Sequence, residues 1–149
     1  SIENLLQNVD KIVAVGTTSV RTLESLSALA WRIKSSGNAE LERVVGQWEL
    51  YDIPQEFTGR DALQTLRDYM LEQGMEQLKA ATQIMITPLG YRFRIVRYII
   101  TNFHQPKSTL LLLVSAYVGD DWHKIYDYAL GHDFRFLSYG DSSLLKVDR

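Results

Sequence analysis

The strongest constraint on the fold is a strand, a glycine and a long amphipathic helix that follow one another directly. Lys11 to Val15 is a short run rich in β-branched residues, and it ends at Gly16. Apolar residues then recur at steps of three and four, at Leu23, Leu26, Leu29, Ala30 and Ile33, until Ser35-Ser-Gly37 ends the pattern. This order predicts a buried strand that leads through a turn into a helix packed on a sheet.

The rest of the chain alternates between predicted helices and strands. Further helices are predicted at Ile2 to Val9, at Leu110 to Val118 and from Trp122 to Gly131, and one helix or a pair of helices is predicted from Thr58-Gly-Arg-Asp61 to Lys79. Further strands are predicted at Gln47 to Ile53, Ala81 to Thr87, Tyr91 to Thr101 and Ser143 to Val147, with Pro88-Leu-Gly90 joining the middle pair as a hairpin. We therefore expect an α/β fold, with a mixed β-sheet flanked by helices, in a single domain over residues 1–149.

The composition limits the classes of protein to which the chain can belong. Hydrophobic residues make up 46% and charged residues 23%, and no run of 18 apolar residues occurs. We expect no membrane span, no secretion signal and a cytoplasmic location. The absence of cysteine excludes disulfides and thiol nucleophiles. Because the three histidines lack ligand-like spacing, we also expect no metal site.

The charge is distributed unevenly, although the net charge is only −2. No Asp or Glu occurs from Gln77 to Gly119, which carries five Lys and Arg residues. On the predicted strand there, Arg92 and Arg94 share one face. This segment is either a local basic face or a core-rich segment with a few cations at strand edges.

The turn after the first strand has the features of an anion site. Gly16 is followed by three hydroxyl residues, Thr17, Thr18 and Ser19, at a predicted helix N-terminus, where free N–H groups and the helix dipole attract anions. Plain N-capping is the alternative. Arg21 falls in the first turn, where the dipole disfavours a cation by about 0.3 to 1 kcal/mol. An anion facing Arg21 explains this placement, and so does a salt bridge to Glu24.

The loop Thr101-Asn-Phe-His-Gln-Pro-Lys-Ser-Thr109 is a second candidate anion site. Pro106 restricts the chain, Ser108 or Thr109 can cap the following helix, and Lys107 supplies a cation. His104 is either a structural loop residue or a catalyst. Spacing alone assembles no Ser-His-Asp triad, and Tyr139-Gly-Asp141 is consistent with a simple polar turn.

Three blocks of sequence, taken in order, resemble one enzyme family. The blocks are Val15-Gly-Thr-Thr-Ser-Val-Arg-Thr-Leu-Glu-Ser25, Ile100-Thr-Asn-Phe-His-Gln-Pro-Lys-Ser-Thr-Leu110 leading to Ala116, and Tyr128 to Leu145 with Phe134-Arg-Phe-Leu-Ser-Tyr-Gly-Asp141. They resemble the C-terminal portion of the S-adenosylmethionine:tRNA ribosyltransferase-isomerases of queuosine biosynthesis. The chain has Gln105 where the family usually has Leu. Because it opens on Ser1 and lacks the family's N-terminal part and inserted β-barrel domain, we expect a C-terminal fragment that needs its missing N-terminal half.

The resemblance implies both a reaction and a set of site residues. The ribosyl group of S-adenosylmethionine would be transferred to 7-aminomethyl-7-deazaguanine in tRNA and isomerised, giving epoxyqueuosine, adenine and methionine. His104 would be the acid/base residue, with Asp141 as a second catalytic candidate. The implied substrate-binding residues are Gly16, Thr17, Thr18, Ser19, Arg21, Asn102, Lys107, Ser108, Thr109 and Tyr139. Arg92 and Arg94 would contact tRNA phosphates.

Two other classes of function are compatible with the same residues. A non-catalytic nucleotide- or anion-binding module would use the two helix N-termini without turnover. In a purely structural domain, the polar loops would only cap helices.

Overall fold

The computed structural model describes residues 2–37 and 42–147. The helices in these ranges are α1 (Ile2–Gln7), α2 (Thr17–Ser36), α3 (Gly59–Glu72), α4 (Thr109–Val118) and α5 (Asp121–Gly131). The strands are β1 (Val13–Val15), β2 (Val44–Val45), β3 (Ala81–Thr82), β4 (Tyr98–Asn102) and β5 (Ser142–Lys146). Short 3₁₀ turns occur at Glu49–Asp52 and Leu137–Tyr139. The predicted mixed α/β fold is confirmed.

The main sheet has the strand order β1-β4-β5. Strand β4 lies between a parallel neighbour and an antiparallel one. Val13 to Val15 pair with Tyr98 to Ile100 in parallel, and Ser142 to Lys146 pair with Asn102 to Tyr98 in the antiparallel sense. Strands β2 and β3 form a separate parallel pair.

The core lies on one face of the main sheet. Ala14, Ile99 and Leu145 occupy neighbouring strands at the same level, are buried, and belong to one apolar cluster with Val20 and Leu29 of α2. The prediction that the first strand is buried holds for the face of β1 that packs on α2 and is wrong for the opposite face. β1 is an edge strand, and the side chains of Val13 and Val15 remain 47% and 65% exposed because α2 packs only on the opposite face.

The predicted hairpin between residues 81–87 and 91–101 does not form. The segment before the turn instead runs beside residues 43–47, where the Gln83 N–H donates to the Val45 carbonyl at 2.9 Å. After the turn, the N–H groups of residues 94–96 donate to the carboxylate of Glu24 at 2.8 to 3.0 Å. A buried side chain therefore takes the place of a strand neighbour, and β4 begins only at Tyr98.

Two other predicted elements differ from the structure. The segment Gln47 to Ile53 contains a 3₁₀ turn rather than a strand, because Glu49 accepts the Gly46 N–H at 2.8 Å and pairs with Arg32. Helix α3 ends at Glu72 and does not reach Lys79. The next N–H groups fold back on its last turn, with Met75 donating to the Met70 carbonyl at 2.8 Å.

Candidate active site at the carboxyl ends of the parallel strands

The parallel pairing of β1 and β4 brings two predicted anion-binding loops to the same edge of the sheet. Val15 pairs with Ile100, and the Gly16 N–H donates to the Ile100 carbonyl at 2.7 Å. The Gly16 turn and the loop that contains His104 therefore start side by side. Ligands of open α/β sheets bind at this kind of edge, outside the carboxyl ends of the strands.

The N-terminus of α2 is open. Its N-cap residue is Gly16, with φ 84° and ψ 150°, and no side chain caps the helix. These dihedrals are nearly restricted to glycine. The predicted cap residues Thr17, Thr18 and Ser19 are instead the first helical residues, of which Thr17 is buried and the other two are exposed. Plain side-chain capping is therefore wrong as an explanation of the three hydroxyls, and the first N–H groups of α2 are not occupied by a cap.

Arg21, in the first turns of α2, faces the start of α4. Its Nε–H donates to the Ile84 carbonyl at 3.1 Å. With Thr109 and Leu110, Arg21 lines a small cleft of about 80 Å³. The alternative salt bridge to Glu24 does not form, because the Glu24 carboxylate faces backbone N–H groups and the Tyr91 hydroxyl. No carboxylate in the described ranges pairs with Arg21, so this cleft carries an uncompensated positive charge.

His104 is half-buried and held from two sides. Its backbone N–H donates to the Tyr126 hydroxyl at 3.0 Å, and its ring Nε2 lies 3.0 Å from the Thr101 hydroxyl oxygen. The Thr101 hydroxyl also lies 3.3 Å from the Asn102 carbonyl oxygen, so it links the imidazole ring to the backbone at the end of β4. Burial lowers the pKa of His104 below its ordinary value of 6.5, since desolvation disfavours the imidazolium.

An aromatic cluster joins the third block of sequence to the His104 loop. Phe103 stacks on Phe136 with ring centroids 5.4 Å apart and makes an edge contact with Tyr126. The Leu137 N–H donates to the Phe103 carbonyl at 2.8 Å. The loop from residue 134 to residue 141 is therefore fixed beside His104.

The polar residues of this third block lie at the same edge. The Ser142 hydroxyl donates to the Asn102 side-chain oxygen at 2.7 Å. Asp141 accepts the Arg135 N–H at 2.9 Å, and this bond together with the Arg135 side chain lowers the pKa of Asp141. Asp141 thus closes its own loop next to Ser142. The side chain of Tyr139 lies outside the described part of the structure.

Two residues with strained backbone dihedrals and one helix cap belong to the loops at this edge of the sheet. Lys107 and Leu137 both have φ 64°, which is unusual for residues other than glycine. Ser108 caps α4 as predicted, because its hydroxyl accepts the Leu111 N–H at 3.2 Å. Lys107 and Thr109 are exposed. Residues held in strained conformations cluster at functional sites. Lys107 stands three positions after His104, and Leu137 donates its N–H to the carbonyl of Phe103, the residue before His104.

The two arginines predicted to share one strand face are separated. Arg94 is only 4% exposed, and its guanidinium donates to the carbonyls of Ile53 and Phe57 at 2.9 and 3.1 Å. It therefore holds the fold and is not presented to a nucleic acid. Arg92 is exposed and, with Arg97 and Lys146, lines a cleft of about 610 Å³ at the opposite end of β4 from His104.

Two residues that hold His104 were not predicted. Thr101 stands three positions before His104 in the same sequence block, so its hydroxyl could have been predicted to contact the histidine from the sequence alone. Tyr126 comes from α5, and nothing local relates it to the loop. Among the residues in the described ranges, no group of three or more His, Asp or Glu side chains is placed to hold a metal. None of the helices in these ranges has the length and apolar composition that crossing a bilayer requires.

Comparison with known proteins supports the resemblance found in the three blocks. A sequence model of the family described as "Queuosine biosynthesis protein" matches residues 1–145. The S-adenosylmethionine:tRNA ribosyltransferase-isomerase of Cereibacter sphaeroides is 48% identical over 88 residues, which cover 58% of this chain and 25% of that protein. The protein of the same name from Brucella ovis is 58% identical over 67 residues, covering 44% of this chain and 18% of its own.

A solved structure shows the same fold. The crystal structure of S-adenosylmethionine tRNA ribosyltransferase from Thermotoga maritima matches with a TM-score of 0.58 and 28% sequence identity. The match covers 96% of this chain and 36% of the Thermotoga chain. The chain thus spans about a quarter or less of the length of the two curated relatives, and just over a third of the solved one.

Proposed function

Because the chain belongs to the queuosine biosynthesis protein family, we propose that it forms part of an S-adenosylmethionine:tRNA ribosyltransferase-isomerase and supplies one wall of its active site. In this reaction the ribosyl group of S-adenosylmethionine is transferred to 7-aminomethyl-7-deazaguanine in tRNA and rearranged to the epoxide of epoxyqueuosine. Adenine and methionine leave. S-adenosylmethionine is therefore consumed as a ribosyl donor, in a cytoplasmic enzyme.

The observation that carries the proposal is the meeting of all three resembling blocks at one edge of the sheet. Arg21, which pairs with no carboxylate in residues 2–37 and 42–147, and the open N-terminus of α2 border this edge, and a half-buried His104 lies on the neighbouring loop. The reaction needs a pocket for the methionine carboxylate, a base and an acid. This edge offers a cation for the carboxylate and a titratable group for the proton.

His104 would act first as the base. With its pKa below 6.5 it is neutral at physiological pH, and its unprotonated ring nitrogen would take a proton from the carbon beside the sulfonium. The imidazolium formed in that step can return the proton to the departing adenine. Asn102 and Asp141 would orient the ribose or the base from the same edge, and Lys107 would offer a second cation.

A chimeric enzyme tests the proposal. In this chimera the 149-residue chain replaces the matching segment of the Thermotoga maritima enzyme, whose structure matches 96% of this chain. We expect adenine release that requires both S-adenosylmethionine and tRNA carrying 7-aminomethyl-7-deazaguanine, with tRNA lacking the modified base as the control. A folded chimera that releases no adenine, beside an active parent enzyme, would show that the chain does not supply this wall.

The non-catalytic binding module remains a second candidate for the chain by itself. It is favoured by one observation, namely that the N-terminus of α2 has no side-chain cap and lies close to Arg21 on the same helix, an arrangement that can bind an anion without any acid or base. Calorimetry of the isolated chain separates the two. Heat on adding S-adenosylmethionine, without adenine release from either the chain or the chimera, would favour the binding module.

A further inference from the structure

We propose that Leu137 presents an apolar surface to the face of a purine-like base bound beside His104. This inference rests on the proposed function, because that reaction brings two such bases to one site, the adenine of S-adenosylmethionine and the 7-deazaguanine of tRNA. Leu137 belongs to the third sequence block, and the steps proposed for His104 do not involve it.

Leu137 combines an exposed apolar side chain with a strained backbone. Its side chain is 44% exposed, and its φ is 64°. A single exposed leucine is ordinary on a protein surface. A positive φ is uncommon for any residue other than glycine, however, and among the others Asn and Asp adopt it most readily. A leucine at this position gains neither burial nor a relaxed backbone, so stability does not explain it, and strain of this kind is concentrated at functional sites.

The loop that carries Leu137 is tied at both ends. The Asp141 N–H donates to the Arg135 carbonyl at 2.8 Å, and the Arg135 N–H donates to the Asp141 carboxylate at 2.9 Å. Inside the loop, the Gly140 N–H donates to the Leu137 carbonyl at 3.1 Å. The turn is so tight that a Cβ on Gly140 would lie 2.1 Å from the Arg135 carbonyl oxygen. Leu137 is therefore held in place before a ligand arrives, which lowers the entropy lost on binding.

This fixed side chain belongs to a loop joined to the candidate acid/base residue. The Leu137 N–H donates at 2.8 Å to the carbonyl of Phe103, the residue that precedes His104. The ring of Phe136, the residue before Leu137, stacks on the ring of Phe103 with centroids 5.4 Å apart. One backbone hydrogen bond and one ring contact thus fix the position of Leu137 relative to the His104 loop.

The chemistry of the ligand groups indicates which of them meets a leucine. A carboxylate or a phosphate suits the cations at this edge, Arg21 and Lys107, and gains nothing from an apolar side chain. A purine-like base offers a broad apolar face, and enzymes that act on bases of nucleic acids hold them between aromatic or apolar side chains. Adenine and the 7-deazaguanine of tRNA share this face, so the test separates the two.

Leu137→Asn removes the apolar surface and keeps a residue type that tolerates a positive φ. Leu137→Met is the conservative variant, and Leu89→Asn makes the same polar change on another loop, where the leucine is 76% exposed. Calorimetry measures the Kd of the chimera for S-adenosylmethionine alone and for tRNA carrying 7-aminomethyl-7-deazaguanine alone. Because the proposed reaction needs both, neither measurement depends on turnover. Thermal unfolding of each variant is followed without ligand.

We expect Leu137→Asn to raise the Kd of one ligand at least about fivefold, because the contact of a leucine with the base is lost. The ligand whose Kd rises more supplies the base. The melting temperature should be unchanged or higher, since asparagine relieves the strain. Leu137→Met and Leu89→Asn should change both Kd values less than about twofold, because the first keeps the apolar surface and the second lies on another loop.

Unchanged Kd values for both ligands in Leu137→Asn would overturn the proposal. A lower melting temperature of this variant would also overturn it, because the leucine would then contribute to the packing of the enzyme itself. A parent chimera that binds both ligands but releases no adenine would instead overturn the proposed function, and the Kd values would still decide the role of Leu137.

Discussion

Glu24 is a fully buried carboxylate on the face of α2 that packs against the core. It accepts hydrogen bonds from the Tyr91 hydroxyl and from the N–H groups of Arg94, Ile95 and Val96. Burial and the neighbouring carboxylate raise the pKa of Tyr91 well above its ordinary value, so the phenol remains a donor. One side chain thus satisfies three backbone donors that have no strand neighbour.

Replacing Glu24 should destabilise the protein strongly. We expect Glu24→Ala to lower the free energy of unfolding by about 3 kcal/mol or more, because several buried donors would lose their acceptor. Glu3→Ala, at an exposed position of α1, is the matched control and should cost less than about 0.5 kcal/mol. Urea unfolding measures both. Similar losses in the two variants would show that the Glu24 contacts do not hold residues 94–96.

His104 should make stability depend on pH. Its pKa is lower in the folded than in the unfolded protein, so below about pH 6.5 the unfolded state binds the proton more readily. Stability is complete above that pH and falls as the pH drops toward the folded-state pKa. We expect the free energy of unfolding to decline less in His104→Gln than in the unchanged protein between about pH 7 and 5. In His132→Gln, which changes an exposed ring at the end of α5, the free energy of unfolding should decline as much as in the unchanged protein.

At the scale of elements, helix α3 begins with a reciprocal cap. Thr58 accepts the Asp61 N–H at 3.1 Å, and Asp61 accepts the Thr58 N–H at 2.9 Å. Bonds from the Thr58 hydroxyl and N–H lower the pKa of Asp61.

Removing this cap should have a modest and local effect. Thr58→Ala should lower the free energy of unfolding by about 1 kcal/mol. Thr22→Ala is the comparison, because the exposed Thr22 hydroxyl only bonds back to the Thr18 carbonyl of its own helix. Thermal unfolding measures the difference. An equal effect of the two substitutions would mean that the reciprocal cap adds nothing to α3.

Elements with strong local signals could be predicted from the sequence, and elements set by distant contacts could not. The leucine spacing before Gly37, the Ser108 cap and the Asp121 to Gly131 segment all fold as predicted or within a few residues of it. Residues 91–97 do not, because their alternation indicates a strand while Glu24, some 70 positions away, takes their N–H groups. Alternation likewise could not show that Arg94 is buried.

The candidate site was predictable in pieces rather than as a whole. The Gly16 turn and the His104 loop each have a local pattern of glycine or proline with hydroxyl residues. Their meeting depends on the parallel register of Val15 with Ile100, which spacing along the chain does not contain. The family resemblance supplied the expectation that these loops belong to one site.

At the scale of the whole molecule, a cleft with three basic side chains and one carboxylate, that of Asp10, lies at the opposite end of the main sheet from the candidate site. The cleft lined by Arg92, Arg97 and Lys146 lies near Tyr98, whereas His104 follows Asn102 at the other end of β4. Strand β4 spans about 13 Å from Tyr98 at one end to Asn102 at the other. Under the proposed function, we expect a tRNA strand with one base at His104 to extend to this cleft.

Arg92 should therefore contribute to tRNA affinity without contributing to the chemistry. We expect Arg92→Ala in the chimeric enzyme to weaken tRNA binding and to reduce the magnitude of the salt dependence of log K by about 1, since one phosphate contact is lost. Arg67→Ala, on α3 beside Asp68, is the control and should change neither. Filter binding over a range of salt concentrations measures both. An unchanged slope for Arg92→Ala would remove this cleft from the tRNA footprint.

The rate of adenine release by His104→Ala in the chimeric enzyme tests most directly whether the edge at the carboxyl ends of β1 and β4 is the active site. We predict that kcat falls at least 100-fold, the range expected for loss of a general acid/base, while the control His132→Ala changes it less than about twofold. A His104→Ala enzyme that releases adenine at the normal rate would contradict the assignment.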